Sequence, residues 1–365
     1  MGPIDYSMEK ILFVTTQQYG YHTGTYKHCE ILGKKYKFYF VCWDYGEKRI
    51  QNKNIDITYV SRKGNRFNRT FRLILTARKK IITTNPDVII VKKYIRCGSL
   101  LKILLPRKKF VFDIRTGSIS NSKFKRSLYN TMLRFESQFY NYITVISESL
   151  REKLKISKKK SYILPLGADK ISNIYKSFNN MNLIYVGTFT KRRIQDTING
   201  LHKFYNEFKN IINIHYSIIG YGYHNEISDM KKLVEDLELK DVITITGYIH
   251  YKELKQYFKN SNIGISYIPI TEFFDVQPPT KTFEYLLSGM PVIATATSEN
   301  KKVINKYNGV IIKDNPESFY DGLKQIYFKL KSFNSNVIVK KSEKYQWEII
   351  INNFNEYLKN IMHLE

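Results

Sequence analysis

Short apolar runs alternate with longer amphipathic stretches from one end of the chain to the other. In the first half the runs are 10–15 (KILFVT), 37–43 (KFYFVCW), 55–60 (IDITYV), 87–92 (DVIIVK), 109–113 (KFVFD) and 142–146 (YITVI). They are short and rich in β-branched and aromatic residues. Most are nearly continuous rather than alternating, which predicts strands buried on both faces. Helical patterns between them predict right-handed β-α-β crossovers and a parallel, doubly wound α/β sheet. After SYILP (161–165) the stretch LGADKISNIYKSFNNMN is polar and rich in Asn and Ser, and reads as a linker. The pattern then restarts, with runs at 182–187, 214–220, 242–247, 263–267, 291–295 and 309–312. The expected architecture is two doubly wound α/β domains, 1–168 and 169–345, facing across a cleft. An amphipathic helix over 347–362 (WEIIINNFNEYLKNIM) closes the chain within 346–365. Ligands of such sheets sit beyond the carboxyl ends of the strands, so the loops there are where chemistry is expected.

Composition adds one feature to this picture. The chain has 365 residues, 43% of them hydrophobic, with only 18 Gly and 9 Pro, which excludes global disorder and collagen-like structure. Its charge is lopsided: 59 Lys and Arg against 32 Asp and Glu give +27. Between Ser61 and Lys160 stand 26 basic residues and 5 acidic ones. An anionic partner for the first half is expected. The abundance of Lys, Ile, Asn and Tyr also fits an AT-rich genome, but compositional drift does not concentrate Arg between Arg62 and Arg134. Cys29, Cys42 and Cys97 are too scattered for a disulfide framework or a zinc site. No apolar run is long enough to span a membrane, and the first residues, MGPIDYSMEK, carry no signal-peptide core. A cytoplasmic place is expected, with room for peripheral attachment to a membrane.

The most informative stretch is 278–295, PPTKTFEYLLSGMPVIAT. Two prolines, Pro278 and Pro279, precede Thr280, read as a helix N-cap, and the helix stops before Gly289. A helix N-terminus aimed at a cleft suits a diphosphate, and Glu284, one turn in, can accept hydrogen bonds from both hydroxyls of a ribose. A surface Glu in an ordinary helix is the rival. The loop 187–194, GTFTKRRI, brings Lys191, Arg192 and Arg193 just after a strand. Cations there would stabilise the charge that grows on a departing phosphate, and a solvated charge run is the alternative. Gly220 and Gly222 form a turn after another strand, and Tyr248 follows the next.

In order, LIYVGTFTKRRIQDTI, YSIIGYGYHNEI, VITITGYIHYKELKQYFKNSNIGISYIP and PPTKTFEYLLSGMPVIAT resemble the donor-binding domain of the retaining glycosyltransferases of family 4, in the glycosyl transferases group 1. The resemblance runs from about Met8 to the end and is strongest from Leu183 to Thr297. It implies the GT-B fold, with two Rossmann-like domains, and transfer of a sugar from a nucleotide-diphosphate sugar, a UDP-sugar ahead of a GDP-sugar, without a required metal or other cofactor. It aligns Glu284 with the second Glu of the family's E-x7-E motif, which binds the ribose. Val276 stands where the first Glu would be, with Asp275 beside it as a substitute. PTKTFEY resembles the P-x-K-x-x-E-Y form of the motif. Arg193 aligns with the Lys that faces the diphosphate, while Thr188 stands at the usual Arg position. The resemblance adds Gly187, Pro279, Thr280 and Lys281 to the donor contacts. It places Gly220 and Gly222 near the nucleotide and Tyr248 against the base or in a structural role.

In the first half, TQQYGYHTGT (16–25) carries Gly20 and Gly24 where the family often has a Gly pair, and Gly24 is the better candidate for a backbone contact on the acceptor side. Asp113 ends a buried strand in FDIRTGS, where a carboxylate needs a partner or a function. Arg115 is that partner in a structural pair, or both serve the acceptor, with Asp113 as orienting group or base. The implied acceptor is a glycan or polyprenyl-linked glycan in cell-surface polysaccharide or glycolipid synthesis. An anionic membrane surface would explain the basic half, and 66–80 (RFNRTFRLILTARKK) has the interleaved cations and apolar residues of an interfacial helix. The alternatives are a GT-B protein of another activity, such as a nucleotide-sugar epimerase or an inactive relative, and a nucleic-acid-binding protein, for which no helix-turn-helix, zinc-finger or RNP pattern is present. The last helix is expected to cross back to the first domain.

Overall fold

The computed structural model describes residues 8–92, 97–118, 120, 122–223 and 225–364. The chain divides into two compact units, Met1–Leu166 with Glu348–Glu365, and Gly167–Trp347.

The first unit holds a parallel sheet of β1 (Lys10–Val14), β2 (Lys37–Asp44), β3 (Ile55–Ser61), β4 (Val88–Lys92), β5 (Phe110–Ile114), β6 (Tyr142–Val145) and β7 (Ser161–Ile163), in the order β3-β2-β1-β4-β5-β6-β7. Its connections are α1 (Thr23–Leu32), α2 (Arg66–Thr84), α3 (Cys97–Leu104), α4 (Lys123–Ser137) and α5 (Glu148–Lys153). The six apolar runs are all strands; the inner ones β4 and β5 are covered on both faces, every residue buried, while the edge strand β3 is only partly covered. β7 was not marked by any periodicity. It is a three-residue, half-buried edge strand, too short to carry one. Asn65, Ser122 and Ser147 cap α2, α4 and α5, each accepting from a backbone amide three residues on.

The second sheet consists of β8 (Met181–Thr188), β9 (Ile214–Tyr221), β10 (Ile243–Thr246), β11 (Ile263–Ser266), β12 (Val292–Thr295) and β13 (Gly309–Ile312), again parallel, in the order β10-β9-β8-β11-β12-β13. Around it lie α6 (Gln195–Phe208), α7 (Glu226–Asp236), α8 (Tyr251–Asn260), α9 (Thr280–Leu287), α10 (Ser298–Val303), α11 (Pro316–Lys329) and α12 (Ser335–Ser342). Tyrosine fills much of this core. Tyr185, Tyr216, Tyr267 and Tyr285 are fully buried, and each hydroxyl has a partner: Thr188 O, Thr197, Asp196 and the amide of Val186.

The polar stretch read as a linker is bound to the second unit along its length. Ile171 joins the core, and the Ser172 amide donates to Ser288 Oγ. Asn262 Nδ2 donates to the carbonyls of Ser177 and Asn180, both at 2.8 Å. Part of its backbone and its buried residues thus find partners in the protein, which hydropathy alone does not reveal. The last helix, α13 (Trp347–His363), packs on the first unit through Phe354 and Tyr357, which lie 6.1 and 4.5 Å from the Tyr162 ring. Lys35 Nζ donates to Asn352 Oδ1 at 2.8 Å, and Lys109 Nζ to the carbonyl of Met362 at 2.9 Å.

Gly187 and Gly220 face each other in register where β8 and β9 end. Gly220 has φ +157°, and a Cβ there would lie 1.7 Å from Gly187 O. Gly220→Ala is therefore expected to cost about 1–3 kcal/mol of stability, the range for a buried steric conflict. Urea unfolding reads this directly. A change below about 0.5 kcal/mol, the level of a neutral surface substitution, would show that the two strands part without cost.

Candidate functional site

In each sheet the strand order reverses once, between β1 and β4 in the first and between β8 and β11 in the second. Loops leaving the carboxyl ends of such a pair diverge and open a crevice. In the second unit the loops after β8 and β11 enclose a cavity of about 470 Å³. Thr188 and Arg192 line it from one side, and Phe274, Gln277, Lys281 and Glu284 from the other.

Pro279, not Thr280, is the residue that caps α9, and Thr280 is its first helical residue. A proline cap has no side chain to offer the helix, so the first amides of α9 are left without a side-chain partner at the cavity wall. Lys281 bends back so that Nζ sits 3.7 Å from the centre of the Tyr185 ring. Opposite it stands Gly187, at φ +153°, where an added Cβ would come within 2.8 Å of Nζ. Burial and the charge of Arg192 both push the Lys281 amine well below its ordinary pKa, with Glu284 opposing them. Arg192 stacks its guanidinium over Phe274 at 4.0 Å, and its Nη1 is buried without a hydrogen-bond partner. Burial, and then the charge of Asp169, push the Glu284 carboxyl up to about 7, against the pull of Lys281. Asp169 is itself hydrogen-bonded to Tyr251. The cavity thus combines a desolvated guanidinium, a desolvated amine, open helix amides and a carboxyl raised to about 7. That is a site for an anion carrying hydroxyl groups.

Several expected site residues lie elsewhere. Lys191 and Arg193 are exposed and sit in the left-handed region, at φ +59° and +55°, so that of the three consecutive cations only Arg192 lines the cavity. Arg193 pairs with Asp196 at 2.7 Å and lies 3.7 Å from Asp314. Of the cations expected to face a diphosphate, Arg192 lines the cavity and Arg193 points away from it. The i,i+3 spacing of Arg193 and Asp196 was the available signal. Asp275 does not replace the glutamate missing at Val276. Both its oxygens hold the start of α10, accepting from the amide and the hydroxyl of Ser298 at 2.8 and 2.6 Å. Val276 is buried, and the polar side chain at the cavity is the next one, Gln277. Gly220 and Gly222 do not line the cavity. Gly222 leaves room for Glu226, whose carboxylate would lie 2.1 Å from an added Cβ and which accepts from Thr190. Tyr248 is 66% exposed, edge-on to Tyr221 and His250, and so has no core-packing role.

At the β1/β4 crevice of the first unit the structure gathers a cluster that the sequence reading named only in part. Asp113 on β5 pairs in register with Lys92 on β4 and with Thr144 on β6. It is 2% exposed and accepts from Thr144 Oγ1 at 2.7 Å and from Arg115 Nε at 2.9 Å. Arg115 also donates to Leu164 O at 2.6 Å and lies against His28. The carboxylate is enclosed by these partners. Lys92 donates to Gln17 Oε1 at 2.6 Å and Thr25 Oγ1 at 2.7 Å, and lies 3.3 Å from His22 Nδ1. Burial pushes Lys92 down to about 7, while burial and then Lys92 push His22 down to about 4. His22 caps α1, and Gly24 is buried in the first turn of that helix. A lysine ending a fully buried strand was the overlooked signal, the same kind that marked Asp113.

Residues 180–328 match the family model described as glycosyl transferases group 1. No curated protein matches the chain. Among solved structures it is similar to a glycosyltransferase from Rickettsia africae, at 15% identity and TM-score 0.74, with 99% of this chain and 100% of that one covered. The lipopolysaccharide outer core galactosyltransferase WaaB gives 16% identity and TM-score 0.72, over 96% and 99% of the two chains. HepE of Anabaena, solved in complex with UDP and glucose, gives 11% identity and TM-score 0.68, over 96% and 100%. At these identities the likeness is one of fold. The chain has the two-sheet α/β fold of the GT-B proteins, and its second unit carries the glycosyl transferases group 1 pattern.

Proposed function

We propose that this chain is a retaining glycosyltransferase that moves a hexosyl group from a nucleotide-diphosphate sugar, UDP-linked, to a glycan or lipid-linked acceptor. Its place is cell-surface polysaccharide or glycolipid synthesis at the cytoplasmic side of an anionic membrane. The observation that carries the reading is the β8/β11 cavity, where the unpartnered Arg192 Nη1, Lys281 and the open amides of α9 converge. These groups would hold the diphosphate and stabilise the charge that grows on its β-phosphate as the sugar leaves. Glu284, when ionised, accepts from the two ribose hydroxyls, and Gln277 meets the sugar where the family's first Glu is absent. The departing phosphate takes the acceptor proton on the same face, which retains configuration without a protein nucleophile. His22, held neutral by burial and Lys92, contacts the acceptor, and Asp113 positions Arg115 behind it. UDP-containing complexes among proteins of this fold agree with a UDP donor. Among the described residues no helix is long and apolar enough to cross a membrane, so attachment would be peripheral.

Titration calorimetry with UDP, GDP and ADP tests the donor site. UDP is expected to bind best, and Glu284→Ala to weaken it at least tenfold, the equivalent of about 1.4 kcal/mol. The absence of binding by all three nucleotides would sink the reading.

A further inference from the structure

The helices α2, α3 and α4 all connect strands that advance in the same direction along the first sheet, from β3 past β1 to β6. Right-handed crossovers place such helices on one face of a sheet. α2 touches α3, and α3 and α4 share a groove of about 690 Å³. Instead of the polar outer side expected of a helix covering a sheet, each of the three turns large apolar side chains to solvent. On α2 these include Phe67 and Phe71, and on α3 Leu100, Ile103 and Leu104. On α4 they form a stripe at helical spacing, Phe124, Leu128 and Phe135, continued by Phe139 just beyond the helix. The groove is lined by Leu100, Ile103, Met132, Phe135 and Phe139.

Cations border this apolar surface. Arg66, Arg78 and Lys79 on α2 and Lys123, Lys125 and Arg134 on α4 are exposed. Across the three helices the one acidic residue is Glu136, which is buried and bonded to Ser99. A second copy of the same face would meet it with like charge. The combination of apolar anchors, an open hydrocarbon-sized groove and a cationic border is complementary to a negatively charged lipid surface.

We propose that the α2–α3–α4 face seats the first unit on an anionic bilayer, with the groove between α3 and α4 receiving lipid hydrocarbon. This deepens the reading of a membrane-held acceptor and rests on it. It assigns the contact to three helices, whereas the sequence pointed to α2 alone.

The test is co-flotation of the full chain with phosphatidylcholine vesicles containing about a third phosphatidylglycerol or none, the former carrying a negative surface potential. Wild type is expected to float only with the phosphatidylglycerol vesicles. The variant Ile103→Ser/Phe135→Ser should bind at least about tenfold more weakly, from lost apolar burial, and Phe135→Leu should bind like wild type. Arg78→Glu/Lys79→Glu should also weaken flotation. Ile103 and Phe135 are 56% and 62% exposed, and stabilisation by UDP, read in the same samples, reports that the variants are folded. If the serine variant floats like wild type, the groove proposal fails while the membrane reading stands. If wild type ignores phosphatidylglycerol vesicles, both fail and donor binding is untouched. A dimer in lipid-free solution that the serine variant dissociates would assign the face to self-association and overturn the proposal.

Discussion

Replacing Arg192 with Ala is expected to lower turnover of the nucleotide sugar about 100-fold or more, the loss seen when a preorganised group facing developing charge is removed. Arg193→Ala should leave turnover within about threefold, as for an exposed ion pair contributing under about 1 kcal/mol. The two residues are neighbours of the same charge, so composition and net electrostatics cannot separate them. Their surroundings do. Arg192 lies on Phe274 with a buried, unpartnered nitrogen at the cavity, whereas Arg193 is 53% exposed and held by Asp196 and Asp314. An unpaired buried guanidinium nitrogen has already lost its water, so an incoming phosphate gains the interaction without a further desolvation cost at that atom. Steady-state kinetics with a saturating acceptor decide the matter. Equal losses in the two variants, or a larger loss at Arg193, would overturn the assignment.

Affinity for the donor is expected to fall about tenfold per pH unit below 7, reaching about 100-fold at pH 5, as one carboxylate takes up its proton. The cause is Glu284, which burial and Asp169 raise from 4.5 to about 7. A protonated carboxyl no longer accepts from both ribose hydroxyls. The unliganded protein moves the other way. Its raised carboxyl contributes stability that is fully present below about 4.5 and lost as pH rises through about 7, at most about 3 kcal/mol and less where water fills the cavity. Calorimetry should use the UDP-sugar rather than UDP, because a diphosphate diester does not titrate in this window. Glu284→Gln is expected to bind weakly at pH 8 and to abolish the pH dependence. A flat affinity for wild type between pH 5 and 8 would contradict the role given to Glu284.

The two sheets were legible because a strand covered on both faces must be apolar along its length, as in VIIVK and FVFDI. The helix with Glu284 was legible because prolines start it and Gly289, at φ +78°, ends it. β7 was not, being a short edge strand. The cap at Pro279 was misplaced by one residue because Thr280 has the side chain typical of a cap, while the backbone turns one position earlier. Which cation of the KRR run lines the cavity was not legible, because direction in a turn depends on φ, and φ at Lys191 and Arg193 is left-handed.

The sequence by itself determined two doubly wound units, a donor-like motif around Glu284 and a basic first half. Those are properties of periodicity, spacing and charge, which the chain carries without folding. Only the tertiary structure decided which cation meets the cavity, that Asp275 serves α10, that Lys92 and His22 join Asp113 at the β1/β4 crevice, and that three helices with exposed apolar residues lie side by side. Each of these depends on residues far apart in the chain becoming neighbours, where burial and a fixed partner set the charge and orientation of a side chain.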